Sequence, residues 1–150
     1  MPGSSGTPGE LNGCADTAKT LGNVEQNTEL GIYGHIFTRT GSIVVETGDM
    51  HTGSATIIST VNGREEKEYD AEINRIYNET GSQRMMLTVT DPELRSITGG
   101  IVQGMSGSPV MQDGKLVGAV THVFVSDPCK GFGISIYDML ETAGIREQAA

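Results

Sequence analysis

The chain predicts an all-β domain of short antiparallel strands and hairpins, and three features of the sequence predict it. Glycine is abundant, at 21 of 150 residues, while Trp is absent and aromatic residues make up only 5%. Runs rich in β-branched residues, such as Ala55–Val61 (ATIISTV), alternate with Gly, Asn and Asp punctuation, which favours strands over helices. Asn62-Gly63 is the strongest hairpin signal in the chain, and Asp113-Gly114 reads as a second tight hairpin. Hairpin after hairpin with one closing helix points to a β-barrel-like arrangement. The length suits one domain with enough chain for a core.

Taken in order, residues 1–10 are rich in Gly, Pro and Ser and read as a flexible lead-in to a domain over 11–146, with a tail at 147–150. Leu11–Asn27 has no clear pattern. Leu30–Phe37 alternates well enough for a strand, as do Ser42–Glu46 and Ala55–Val61. Glu68–Tyr77 alternates polar and apolar residues and reads as a half-exposed strand, followed by a turn at Asn78–Ser82 and a strand over Arg84–Thr90. Asp91-Pro92-Glu93 has the form of a helix start, with Asp as N-cap and Pro at the first helical position; Thr98-Gly99-Gly100 keeps that helix short. Pro109–Met111 and Lys115–Val125 form the strands of the Asp113-Gly114 hairpin. Asp127–Gly131 reads as a loop, Phe132–Ile136 as a strand, and Tyr137–Ala143 as a helix closed by Gly144.

The chemistry centres on Gly99–Pro109 (GGIVQGMSGSP). A cluster this small buries almost nothing, but Gly104, Met105, Ser106 and Gly107 can form a tight turn whose N–H groups point inward. A serine held there presents its hydroxyl beside free N–H donors, the geometry of an oxyanion hole. Ser106 is the candidate nucleophile. A serine needs a base, and the histidines are His35, His51 and His122. Asp91 has two readings: a carboxylate that orients the base, or a helix cap. His122 follows Thr121 in a strand, so their side chains point to opposite faces; with Val120 and Phe124 it reads as a partly buried structural residue, leaving Thr121 to face the nucleophile. His51 reads as a surface loop residue.

Residues 99–140, GGIVQGMSGSPVMQDGKLVGAVTHVFVSDPCKGFGISIYDML, closely resemble the end of the stage IV sporulation protein B family of serine peptidases. Weaker resemblance runs upstream through TPGELNG, LGNVEQNTELGIYG and VTDPELRSITGG, so residues 7–145 are similar to this family. The serine turn also resembles the Gly-Asp-Ser-Gly-Gly-Pro segment of trypsin-type peptidases, with Met105 and Ser108 as departures. The resemblance implies a trypsin-like β-barrel fold with a short C-terminal helix. It implies a serine endopeptidase with Ser106 as nucleophile, the N–H groups of Gly104 and Ser106 holding the oxyanion, Asp91 and Thr121 placed to orient the base, and no cofactor. It also implies protein substrates, among them the chain itself and a membrane-anchored regulator of an intramembrane protease, in the intermembrane space of a developing forespore. The family's catalytic histidine lies in a Gly-His-Gly-Ile-type segment upstream of TPGELNG, so that segment, and the PDZ domain before it, are expected to be missing from this chain. His35 follows a stretch that in the family comes after that histidine. A peptide-binding domain that keeps the barrel without catalysis is the alternative.

Composition narrows the remaining classes. A formal net charge of −9 argues against nucleic acid and anionic membrane surfaces as partners. Cys14 and Cys129 fit one disulfide or two thiols, and no Cys/His spacing suggests a metal. The first residues lack the basic and apolar regions of a signal peptide, so export would be a property of the parent protein. An unfilled barrel half would expose apolar surface and promote self-association.

Overall fold

The computed structural model describes residues 17–37, 45–61, 63, 65–102 and 104–145. A 3-10 turn at Thr17–Lys19 leads into β1 (Gly22–Thr28) and β2 (Gly31–Ile36), which pair only with each other. Six further strands follow: β3 (Gly53–Ser59), β4 (Lys67–Glu79), β5 (Ser82–Val89), β6 (Pro109–Gln112), β7 (Lys115–Phe124) and β8 (Asp127–Ser135). They close into an antiparallel barrel in the order β3-β4-β5-β8-β7-β6, with β6 returning to β3. Helix α1 (Pro92–Thr98) joins β5 to β6, and α2 (Ile136–Thr142) follows β8. The all-β barrel with a short C-terminal helix is the fold class the sequence predicts.

Alternation builds the core. Successive side chains of a strand point to opposite faces, so Ala55 and Ile57, then Tyr69, Ala71 and Ile73, then Met85, Leu87 and Val89 all point into the barrel and are buried. Each large aliphatic side chain withdrawn this way contributes roughly 1.5–3 kcal/mol relative to exposure. β7 packs tightly against β8 because Gly118 has no side chain: a Cβ there would collide with the Ile134 carbonyl oxygen and the end of Met85.

Several expectations shift. The β3–β4 connection is longer than a two-residue turn at Asn62-Gly63, since the last pair before it is Ser59 with Lys67. Asp127–Gly131, expected as a loop, is strand: Lys130 pairs with Thr88 and Gly131 with both Leu87 and Val123. Those residues have no strand pattern of their own and take their conformation from two neighbours. β1 (GNVEQNT), in the stretch without a pattern, is a strand because β2 pairs with it. Of the expected strand 42–46, residues 42–44 lie outside the described residues, and just beyond it an isolated parallel bridge joins Thr47 to Leu116. The lead-in, Cys14, Asn62 and the tail also lie outside the described residues.

Candidate active site

The nucleophile turn is fixed from both ends. Asp91 caps α1, its Oδ1 accepting from the N–H groups of Glu93 (2.9 Å) and Leu94 (3.0 Å), while Oδ2 accepts from the N–H of Asp70 on β4 (3.1 Å). Burial pushes the Asp91 carboxyl up, but the N–H donors of Leu94, Asp70 and Glu93 together outweigh it and hold it below the usual carboxylate range. α1 ends at Gly99, and the chain then presses onto β8: the Ile101 N–H donates to the Pro128 carbonyl at 2.7 Å. Cys129 Sγ lies 3.5 Å from the Gly99 carbonyl oxygen.

Two overlapping turns follow, Met105 N–H to Val102 O (3.1 Å) and Ser108 N–H to Met105 O (3.0 Å). Buried Met105 anchors them in the barrel, and Gly104 (φ 100°) and Gly107 (φ 89°) supply backbone angles that L side chains disfavour. The Gly107 N–H donates to Val120 O (2.8 Å) and the Val120 N–H to Ser108 O (3.0 Å), so the turn is clamped to β7. Ser106 is left exposed, its hydroxyl donating to the Thr121 carbonyl at 2.9 Å. Among the described residues, the N–H groups of Gly104 and Ser106 have no acceptor. The structure thus brings Ser106, Thr121 and the two expected oxyanion donors together. Asp91 lines neither cavity that holds Ser106.

Those cavities lie on either side of the serine. One, about 460 Å³, runs between Ser106, Thr121, Ile134 and Met139 and the tip of the β1–β2 hairpin, where Leu30 and Tyr33 form the far wall. The other, about 190 Å³, is enclosed by Ile101, Val102, Val120 and Val123.

Among the described residues, no imidazole nitrogen bonds Ser106. His35 Nδ1 sits 2.6 Å from Glu25 Oε1 across β1 and β2, well exposed. His51 Nδ1 meets Thr52 O and its Nε2 meets Asp113 Oδ2 at 2.9 Å; the Thr52 carbonyl first and the Asp113 carboxylate second raise its pKa. His122 corrects the expectation of a partly buried structural residue. The β7–β8 register slips between Val120 and His122, so strict alternation fails and the imidazole is exposed. It lines both cavities beside Ser106, with Nδ1 3.0 Å from Thr121 Oγ1. No sequence signal marks that bulge, and none placed the hairpin tip opposite the serine.

A family model described as SpoIVB peptidase S55 matches residues 1–140. Among solved structures, the chain is similar to Rv3671c from M. tuberculosis H37Rv in a serine-to-alanine mutant, inactive form, with TM-score 0.61 and 13% identity over 86% of this chain and 67% of that one. It is also similar to the active form of the Rv3671c protease from M. tuberculosis, with TM-score 0.59 and 14% identity over 85% of this chain and 60% of that one. At such identities the likeness is one of fold. Among curated protein sequences no relative matches.

Proposed function

Since the chain belongs to the SpoIVB peptidase S55 family and is a serine peptidase by that membership, we propose that Ser106 is the nucleophile of an endopeptidase that cleaves regulatory proteins in sporulation signalling. One observation carries the choice of nucleophile: the exposed Ser106 hydroxyl sits in a turn beside two backbone donors that have no acceptor among the described residues. In the reaction, Ser106 Oγ loses its proton to a base and bonds to the substrate carbonyl carbon. The oxygen becomes anionic beside the Gly104 and Ser106 N–H groups, and the C–N bond then breaks as the amine takes the proton. Water releases the acyl group by the reverse sequence.

Substrate presentation follows from β7. Beyond Val120 its β6-facing edge carries, among the described residues, only the Ser106 hydroxyl on Thr121 O. An extended peptide can add to that free edge as a strand and bring a carbonyl to Ser106. Thr121 positions the nucleophile directly; Asp91 acts through the capped helix that launches the turn. The larger cavity is where a base has room to approach Ser106; among the described residues His35 and His51 are bonded elsewhere, and His122, which lines the cavity, bonds Thr121 Oγ1 and not Ser106. We infer that the base, by resemblance a histidine of an upstream Gly-His-Gly-Ile segment, comes from the longer parent protein. An exported parent and a membrane-anchored regulator as substrate belong to the same proposal.

The free edge with no base in contact also suits a peptide-binding domain without catalysis. Labelling with a fluorophosphonate probe separates the two. The parent protein is expected to label, and its Ser106→Ala variant to lose the label; this chain alone is expected to label at least 100-fold more slowly, since a triad member is worth on the order of 10³ or more in rate. A folded parent that does not label would leave binding as the function.

A further inference from the structure

We propose that the smaller cavity beside Ser106 receives the side chain of the residue whose carbonyl is attacked, and that it selects a short aliphatic one, alanine or valine. The inference rests on Ser106 as nucleophile and adds the substrate class. Ile101, Val102 and Val120, which line the cavity, are all buried, at 2%, 7% and 1% exposure, and Val123 closes the side next to the free edge of β7. A peptide strand added along that edge with its carbonyl at Ser106 points its side chain between these residues.

The floor sets the length. A Cβ on Gly131 would stand 2.5 Å from Ile101 Cδ1 and 2.8 Å from the His122 carbonyl oxygen. The Ile101 side chain, which lines the cavity, therefore stands between it and the backbone of β8 and forms its floor. A phenyl ring reaching deeper would have to displace the buried Ile101 side chain, whose backbone is fixed by its N–H on the Pro128 carbonyl. The cavity measures about 190 Å³ to its open mouth, so the limit is set by its depth at Ile101 and not by its volume. Apart from the His122 imidazole at its exposed side, no ionisable side chain lines it, so a lysine or arginine would lose hydration with no carboxylate to meet it. A single methylene in an apolar pocket changes selectivity by roughly 10- to 200-fold.

The test uses three N-acylated tripeptide boronic acids on the full chain, identical except for a valine, phenylalanine or lysine analogue at the boron end. Boron accepts the Ser106 oxygen reversibly as the hydroxyl proton passes to the buffer, and no peptide bond is broken, so affinity can be read by calorimetry without turnover. The valine analogue is expected to bind at least tenfold tighter than both others. Equal or tighter binding by the phenylalanine or lysine analogue overturns the proposal. Ile101→Val, which lowers the floor by one methylene, is expected to move the ratio towards phenylalanine; an unchanged ratio removes Ile101 as the floor. A Ser106→Ala chain titrated with the matching valine peptide aldehyde separates pocket from nucleophile by NMR. Amide shifts at Gly131 and Val123 there, with no boronate adduct on the unaltered chain, would sink Ser106 as nucleophile and keep the pocket. Absence of those shifts at saturating peptide overturns the pocket.

Discussion

At the scale of single residues, two titratable side chains tie the frame of the site to pH in opposite senses. Asp91 is held ionised by three N–H groups, so its folded pKa lies below its ordinary 3.8. Its contribution is complete above that ordinary value and is lost as pH falls through the lower, folded one. Asp91→Ala removes the cap and is expected to cost about 1 kcal/mol at neutral pH, with Asp91→Asn costing less, as read from urea midpoints. The loss on acidification should also be smaller in Asp91→Ala than in the unaltered chain. His51 runs the other way. Its folded pKa is raised above 6.5 by Thr52 O and Asp113, so its contribution is complete below 6.5 and lost as pH rises through the raised value. His51→Gln is therefore expected to flatten the fall in Tm between about pH 5.5 and about pH 8, measured by circular dichroism. His51 joins the loop before β3 to the β6–β7 hairpin, with Gln112 bonding His51 O and Ser54 O beneath it.

At the scale of elements, the barrel depends on how closely β7 and β8 approach. Gly118→Ala puts a methyl against the Ile134 carbonyl and Met85, both within the packed wall. The expected cost is about 1–3 kcal/mol in denaturant unfolding, and more than Gly63→Ala, whose Cβ would meet nothing, beyond the strain of its φ of 74°. The elements that were readable from sequence were those whose geometry is specified locally. The β6–β7 hairpin was readable because Asp113 (φ 53°) and Gly114 (φ 74°) are residue types that tolerate such angles. α1 was readable because Asp91, Pro92 and Gly99 mark both its ends. β1 and the first half of β8 were not, because their residues are polar or turn-like and only their partners make them strands. The serine turn was legible for the same local reason as the hairpin. The exposure of His122 was not, because a register slip in the ladder is set by packing.

At the scale of the whole molecule, the charge and the apolar surface pull in different directions. A net charge of −9 keeps chains apart, yet the β1–β2 hairpin exposes Leu21, Val24, Ile32, Ile36 and Phe37, each more than half accessible. An isolated two-stranded sheet is marginal in water, so association through this hairpin is expected at micromolar concentration. Light scattering should show it growing with salt, which screens the charge, and a Val24→Ser, Ile36→Ser double variant should reduce it. One feature of the barrel reaches further. Its closing seam pairs only Thr56 with Met111 and Ile57 with Val110, joining segments far apart in the chain, while every other seam runs longer. Closing so long a loop for so short a ladder is entropically the dearest step of folding. The seam is therefore the last to zip and the first to breathe. Ser106 sits just before β6, but its turn is bonded to β7 through Gly107 and Ser108, so the seam can open on one side of β6 while the nucleophile keeps its place on the other.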